Sequence, residues 1–219
     1  MEVYMLCDAV AADRRAHPRD DIMTALVHAE IDGERLTDAE LNLFFITLIV
    51  AGNETTRNLI NHSMLALIDH PEQARRLRED PSLWDLATEE MLRWGSSIHN
   101  FRRTATTDTE LRGVPIKAGD KVVMYYASAN RDEEVFDDPH RFDVGRTPND
   151  HLAFGGGGVH YCLGASLARA EIRATMRQLV DRLPDLELAG EPNRLHSDFV
   201  NGIKTMPVRF TPTAPTPKD

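Results

Sequence analysis

Cysteine and long hydrophobic runs are both scarce in this sequence of 219 residues. Cys7 and Cys162 are its two cysteines, which are too few for a disulfide framework. We therefore expect the protein to lie in the reducing cytoplasm. The longest apolar run, residues 43–51, is far shorter than the ~20 residues of a membrane-spanning helix. Residues 1–10 carry acids and lack the apolar stretch of a signal peptide. These shortages predict a cytoplasmic protein without a membrane span.

Positive charge is also in short supply. The chain has 25 lysines and arginines against 35 aspartates and glutamates, which gives a net charge of -10. Nucleic acid is therefore not an expected partner. The remaining composition, with 42% hydrophobic and 27% charged residues, is that of an ordinary globular protein. A chain of this length can form one sizeable hydrophobic core or two smaller ones.

Apolar periodicity and proline positions predict a mainly α protein with a small β part, an α+β fold. The dominant element is a long helix over about residues 37–70. It begins at the capping box Thr37-Asp-Ala-Glu40 and ends where Pro71 follows. A second long helix is predicted over residues 163–183.

Four blocks follow from this pattern, all within one partial domain. Residues 1–94 form a helical block, and residues 95–150 hold short strands and an irregular segment. Residues 151–183 hold a loop and a helix, and residues 184–219 hold short strands and a tail. Strands are predicted in the second block at residues 101–106, 110–114 and 121–126.

One stretch combines four consecutive glycines with the second cysteine, Phe154-Gly-Gly-Gly-Gly-Val-His-Tyr-Cys162-Leu-Gly164. Consecutive glycines are unsuited to a helix or strand interior, because glycine loses the most backbone entropy on ordering. They let the backbone turn sharply or approach another group closely. Cys162 precedes the predicted helix, whose macrodipole stabilises a thiolate at its N-terminus. The stretch therefore presents a metal ligand or a nucleophile.

The residues of this loop leave several kinds of site open. His151, His160 and Cys162 offer zinc ligands, although no C-x-x-C pair accompanies them. The glycines suit a phosphate-binding loop, but the Lys-Ser/Thr pair of that motif is missing. His160 and Cys162 suit a general base with its nucleophile, and Cys162 suits an axial heme ligand. A buried structural cysteine would leave the four glycines unexplained.

Polar residues interrupt the apolar middle of the long helix at Ala51-Gly52-Asn53-Glu54-Thr55-Thr56. A buried acid must be hydrogen-bonded, paired or neutral. One interpretation places a groove floor at Gly52, with Glu54 and Thr55 passing protons to a group beside the helix. The other has a threonine bonded back to a helix carbonyl while Glu54 points to water.

Two sets of charged residues complete the candidates. Glu90 and Arg93 are three residues apart on a predicted helix, and Arg141 is a candidate second guanidinium for this acid. Arg102 and Arg103 begin a predicted strand and point to opposite faces. One of the two would therefore point inward and bind an anion. The alternative is that both arginines are solvated.

These patches, taken in order along the chain, resemble the cytochrome P450 superfamily of heme-thiolate monooxygenases. The resemblance rests on Ala-Gly-Asn-Glu-Thr-Thr, Glu-x-x-Arg, Phe-Arg-Arg, His-Arg-Phe and the glycine loop with its cysteine. It covers essentially the whole chain and corresponds to the C-terminal half of that fold. It implies heme b as the cofactor, with the Cys162 thiolate as the axial ligand of iron.

The resemblance also implies roles for residues away from the thiolate. Glu54 and Thr55 resemble the catalytic acid–alcohol pair that delivers protons during dioxygen activation. Glu90, Arg93 and Arg141 resemble a buried ion cluster beneath the heme. The resemblance implies further heme contacts, which are Ala51 and Gly52 at a helix kink, Arg103 and His160 as propionate ligands, Phe154 as an aromatic residue near the thiolate, and Gly164 after the cysteine.

The implied reaction inserts one oxygen atom of O₂ into a C–H bond of a hydrophobic small molecule. A ferredoxin-type donor with its reductase is the implied partner. A basic stripe formed by Arg169, Arg173 and Arg177, four residues apart on the helix after Cys162, is a candidate docking site for an acidic ferredoxin. The alternative is an ordinary solvated helix face.

Two departures from the family pattern refine this interpretation. The aromatic residue usually stands seven residues before the cysteine, but Gly155 occupies that place and Phe154 precedes it. With the Asn201-Gly-Ile-Lys-Thr motif, this resembles an actinobacterial subgroup that hydroxylates sterol side chains or methyl-branched lipids. Family members are also about twice this length, so we expect the chain alone to expose apolar surface and to bind heme weakly. The alternatives are a non-catalytic heme-binding or structural remnant and a cysteine-nucleophile enzyme.

Overall fold

Residues 2–211 are described by a computed structural model, in which the chain divides into two compact units at Glu54. The first unit begins with helices α1 (Glu2–Ala16) and α2 (Ile22–His28). A short hairpin of β1 (Glu30–Ile31) and β2 (Glu34–Arg35) leads into helix α3 (Asp38–Asp69), which continues into the second unit.

Side-chain caps fix the starts of α2 and α3. Asp21 accepts a hydrogen bond of 2.7 Å from the amide of Thr24 at the start of α2. At the start of α3, the Thr37 amide donates to Glu40 at 2.9 Å and the Glu40 amide donates to Thr37 at 3.3 Å. This reciprocal pair is the capping box expected from the sequence. A small core forms between these helices from Cys7, Ala11, Met23 and Leu41.

As far as residue 211, the second unit contains the remaining half of α3 and four further helices. They are α4 (Pro71–Glu79), α5 (Trp84–Gly95), α6 (Tyr126–Ala129) and α7 (Ala165–Arg182), with a 3₁₀ turn at Pro81–Leu83 before α5. Pro71 occupies the first turn of α4 and so separates it from α3.

The strands described in the second unit form two-stranded antiparallel pairs. The pairs are β3 (Asn100–Thr104) with β6 (Lys121–Tyr125), β4 (Thr109–Leu111) with β5 (Val114–Ile116), β7 (Glu187–Leu188) with β10 (Val208–Arg209), and β8 (Asn193–Arg194) with β9 (Ile203–Thr205). One expectation was wrong: residues 110–114 are not one strand. Arg112 and Gly113 adopt positive φ of 48° and 81°, and these angles turn the chain into a hairpin.

The main core of the second unit packs α3, α4, α5 and α7 around Leu59, Leu92, Ile172 and Met176. The irregular segment after α6 contributes Phe142, whose ring lies 5.5 Å from that of Trp94 and 5.6 Å from that of His70. The segment without regular structure is therefore anchored in the core by an aromatic side chain. The observed architecture confirms a mainly α protein with small sheets.

Two glycine-to-alanine substitutions should have opposite effects, one where α5 packs on α3 and one on an exposed part of α3. A Cβ at Gly95 would lie 2.5 Å from Leu59 Cδ1 and 3.3 Å from His62 Cβ, whereas a Cβ at Gly52 meets nothing within 4 Å. We expect Gly95→Ala to lower the free energy of unfolding by about 1–3 kcal/mol through overpacking. Gly52→Ala should raise it by up to about 1 kcal/mol, because alanine favours helix. Urea denaturation of the heme-free chain checks both, and equal effects would contradict this packing.

Candidate functional site

Cys162 lies on an irregular loop directly before α7. Its thiol is free and exposed. The Cys162 amide donates to the carbonyl of Phe154 at 3.1 Å, and the Ala165 amide donates to the Cys162 carbonyl at 3.2 Å. The loop is thus closed behind the cysteine by its own backbone, and its end is continuous with an 18-residue helix. This arrangement holds a thiol at a helix N-terminus.

The glycines of the loop perform the sharp turns that the sequence suggested. Gly155, Gly157 and Gly158 have positive φ of 89°, 101° and 75°, a region that other residues rarely adopt. The Gly155 amide donates to the carbonyl of Leu152 at 2.9 Å, and the Tyr161 amide donates to the carbonyl of Gly158 at 3.0 Å. A Cβ on Gly164 would lie 4.0 Å from the Cys162 sulfur, in ordinary contact.

Phe154 is packed among side chains on one side of this loop. Its ring centroid lies 6.1 Å from that of His151 and 6.5 Å from that of Tyr161. The guanidinium carbon of Arg169 lies 4.6 Å from the Phe154 centroid, within cation–π range. The ring is therefore held by neighbours from both the loop and α7.

Glu89 on α5 connects the loop to α7. Its carboxylate accepts hydrogen bonds from Arg169 Nε at 2.7 Å and Nη2 at 2.9 Å, and it lies 3.0 Å from His151 Nε2. Burial raises the pKa of Glu89, but the bonds from His151 and Arg169 outweigh it and lower the pKa to about 2. The bond to Glu89 also raises the pKa of Arg169. Glu89 was not among the residues predicted from the sequence, although it directly precedes Glu90.

The adjacent Glu90 forms a fully buried pair with Arg93, with N–O distances of 2.7 Å for both guanidinium bonds. Arg93 uses its remaining N–H groups on the carbonyls of Asn130, Pro139 and Arg141, at 2.7, 2.9 and 3.1 Å. All five of its donors therefore have acceptors, as a buried guanidinium requires.

The prediction that the Arg141 side chain is the third member of this cluster is wrong. The Arg141 side chain is 62% exposed and lies 3.6 Å from Asp143 rather than beside Glu90. Arg146 takes that place: its Nε donates to Glu90 Oε2 at 3.1 Å, and its side chain is 9% exposed. Arg141 contributes its carbonyl instead, which accepts from Arg93 and Arg146. The irregular path of the backbone, which periodicity does not define, decides which arginine points inward.

Asn130, which was not predicted from the sequence either, joins this cluster to the cysteine loop. It is fully buried. Its carbonyl accepts from Arg93 at 2.7 Å, and its side-chain oxygen accepts from the Leu152 amide at 2.7 Å. One asparagine therefore contacts both the buried guanidinium and the start of the loop.

Helix α3 carries the other predicted group of site residues. It remains an α-helix through Ala51 and Gly52, both of which are exposed, and through Glu54 and Thr55, both half-buried. Ser97 Oγ donates to the Thr55 carbonyl at 2.9 Å. The structure thus adds one fixed contact beside the predicted acid–alcohol pair.

The two predicted propionate ligands are both exposed. Arg103 lies on β3, where its Nη1 donates to the carbonyl of Arg102 at 3.0 Å. His160 lies in the glycine loop, two residues before Cys162. Both side chains are thus accessible to an anion, and their role stays a prediction.

The predicted basic stripe on α7 is neutralised by acids. Arg169 forms the two bonds to Glu89, Arg173 pairs with Asp85, and Arg177 lies 4.0 Å from Asp181. Because each guanidinium has an acidic partner, the stripe gives little support to the expected attraction of an acidic ferredoxin.

Two features are missing from residues 2–211. Within that range, no three or more His, Cys, Asp or Glu side chains are grouped so that they could hold a metal ion. Nor does the same range contain a helix with the length and hydropathy needed to cross a membrane.

Comparison with known proteins gives one consistent family. The family model described as "Cytochrome P450" matches residues 6–196. A methyl-branched lipid omega-hydroxylase of Mycobacterium tuberculosis strain H37Rv is 53% identical over 204 residues, which cover 93% of this chain and 48% of that protein. A steroid C26-monooxygenase of Mycolicibacterium smegmatis is 48% identical over 202 residues, 92% of this chain and 47% of that protein.

A solved structure gives the same result for the fold. A Mycobacterium marinum cytochrome P450 in complex with pseudoionone superimposes with a TM-score of 0.91 and 48% sequence identity. The match covers 96% of this chain and 51% of that structure. The chain therefore spans about half the length of the relatives that it matches, and the predicted fold is confirmed.

The corrected ion cluster predicts unequal effects for two arginines five residues apart. Arg146→Ala removes bonds to Glu90 and to the carbonyls of Asp137, Asp138 and Arg141. We expect it to lower the free energy of unfolding by about 2–4 kcal/mol. Arg141→Ala, the matched control, should change it by less than about 0.5 kcal/mol because that side chain is exposed. Urea denaturation measures both, and the reverse order would restore Arg141 to the cluster.

The Glu89 contacts predict a pH-dependent contribution to stability. The folded pKa of about 2 is below the ordinary value of 4.5, so the stabilisation is complete above pH 4.5 and is lost as the pH falls towards 2. We expect Glu89→Gln to lower the free energy of unfolding by about 1–2 kcal/mol at pH 7, after allowance for partial exposure. The difference from the wild type should shrink below pH 4.5. Urea titrations at several pH values test this, and a constant difference would contradict it.

Proposed function

We propose, because the chain belongs to the cytochrome P450 family, that it carries the thiolate side of a monooxygenase heme site and residues that deliver protons to it. Heme b would be held by Cys162, whose thiolate would bind the iron. The observation that supports this most directly is the free, exposed Cys162 thiol on a glycine loop at the start of α7. A thiolate-ligated heme, when bound, supplies the oxidising chemistry for C–H hydroxylation.

The loop fits a flat cofactor in its chemistry and its shape. Gly157 and Gly158 have open space where a Cβ would lie, so another group can approach their backbone closely. Gly164 keeps side-chain bulk away from the sulfur, and the Phe154 carbonyl accepts the hydrogen bond of the Cys162 amide. Such surroundings control solvent access and polarity near a metal ligand.

The remaining site residues have roles that follow from their charge and position in the chain. Arg103 and His160 would bind the carboxylates of the heme propionates. Ala51 and Gly52 would leave room beside α3, since their side chains are minimal. Glu54 and Thr55 would hold and pass protons at their carboxylate and hydroxyl oxygens. The bond from Ser97 to the Thr55 carbonyl would keep that part of α3 in place.

The proposed substrate is a hydrophobic small molecule, either a sterol side chain or a methyl-branched lipid. The names of the two relatives, a methyl-branched lipid omega-hydroxylase and a steroid C26-monooxygenase, support this class. The reaction would consume the C–H substrate, O₂, two electrons and two protons, and would yield an alcohol and water. A ferredoxin-type donor with its reductase would supply the electrons.

The ligand assignment predicts a spectrum that depends on one of the two cysteines. The purified chain, titrated with excess hemin, reduced and exposed to carbon monoxide, should give a thiolate-type Soret band. Cys162→Ser should lose that band, because a hydroxyl does not replace a thiolate on iron. Cys7→Ala is the matched control and should keep it, because Cys7 is buried in the first unit.

Two outcomes would contradict the proposal. They are the lack of any Cys162-dependent band in the wild type and a thiolate-type band that survives in Cys162→Ser. Turnover of a sterol or branched lipid with a ferredoxin and its reductase then tests catalysis separately. A thiolate spectrum without turnover would favour the alternative of a heme-binding chain without activity.

A further inference from the structure

The carboxylate of Glu89 is the point where α5, the beginning of the cysteine loop and α7 meet. It is bonded to His151, eleven residues before Cys162, and to Arg169, seven residues after it. The two partners therefore flank the proposed ligand in the sequence. A single side chain holds both ends of the segment that presents the thiol.

The contact with His151 has a defined direction. The Ala153 amide donates to His151 Nδ1 at 3.2 Å, so Nδ1 is an acceptor and the ring proton lies on Nε2. Nε2 then donates to Glu89 at 3.0 Å. The His151 side chain is 4% exposed. The imidazole therefore connects the loop backbone to Glu89 through two bonds of fixed polarity.

The contact with Arg169 reaches the cysteine by another route. The guanidinium makes both bonds to Glu89 and lies over the Phe154 ring at 4.6 Å. The carbonyl of Phe154 accepts the hydrogen bond of the Cys162 amide. Glu89 thus orients Arg169, which holds Phe154. The backbone of Phe154 is in turn bonded to that of Cys162.

We propose that Glu89 is a positioning residue that fixes the backbone of residues 151–164 from both ends and thereby orients the Cys162 thiol. Its effect on the loop rests on the contacts above, and its effect on heme rests on the proposed function. Asp85 and Arg173 form a separate, exposed ion pair between the same two helices, with side-chain exposures of 78% and 50%. That pair provides a matched control.

The first test measures amide hydrogen exchange in the heme-free chain at neutral pH. Glu89→Gln should increase exchange of the 151–164 segment by about tenfold, because local opening becomes easier when its charged anchor is lost. Asp85→Asn should leave the segment within about twofold of the wild type. Exchange at Leu59 and Met64 in the α3 core should rise by no more than the loss of unfolding free energy measured for the same variant. Equal effects of the two substitutions on the 151–164 segment would overturn the proposal.

A second pair of variants keeps the test informative if Glu89→Gln folds poorly. His151→Gln retains a donor for Glu89, whereas His151→Ala removes it. The positioning role requires the glutamine variant to protect the loop more than the alanine variant does. Equal exchange in the two variants would overturn the role of the His151 bond.

The last measurement adds hemin, reductant and carbon monoxide. Glu89→Gln should shift the Soret band from the thiolate-type position towards a non-thiolate form, and Asp85→Asn should not. If the wild type itself lacks the thiolate band, the proposed function fails, while the exchange experiment still decides whether Glu89 positions the loop. An unchanged Soret band in Glu89→Gln, with a normal wild-type spectrum, would overturn the effect on the thiolate.

Discussion

The buried pair of Glu90 and Arg93 is the interaction on which the rest of the second unit depends. Both side chains are inaccessible to solvent, and two isolated charges in such a place would cost several kcal/mol each. The arrangement is tolerated because the carboxylate accepts from Arg93, Arg146, Asn149 and the Asp143 amide. The carbonyls that complete the set all belong to the irregular segment after α6. Its course is therefore determined by acceptors directed at one guanidinium.

Helix α5 distributes two consecutive acids to two different tasks. Neighbouring residues on a helix point about 100° apart, at 3.6 residues per turn. Glu90 consequently faces the irregular segment, while Glu89 faces His151 and Arg169. Asn130 joins the two systems through its bonds to Arg93 and to the Leu152 amide. The loop that carries Cys162 is thus supported by polar contacts that originate on one short helix.

Local signals made part of this structure predictable. The capping box at Thr37 and Glu40, the break at Pro71 and the turns at the glycines each depend on residues close in sequence. The Glu90–Arg93 pair also follows from helical spacing. The choice of Arg146 over Arg141 does not, because it depends on the path of a segment without periodicity. The same holds for the contacts of Glu89, whose partners lie 62 and 80 residues away.

Apolar side chains could pack in the place of the buried ion pair of Glu90 and Arg93. The physical reason for the ion pair is therefore something other than stability. Well-packed hydrophobic residues in the place of a buried ion pair are often as stable or more so. Apolar side chains, however, accept many orientations of a neighbouring backbone, whereas Arg93 requires three carbonyls in three fixed directions. A loop rich in glycine has little stiffness of its own. Directional bonds at its base therefore give the cysteine a defined position that packing alone would not provide.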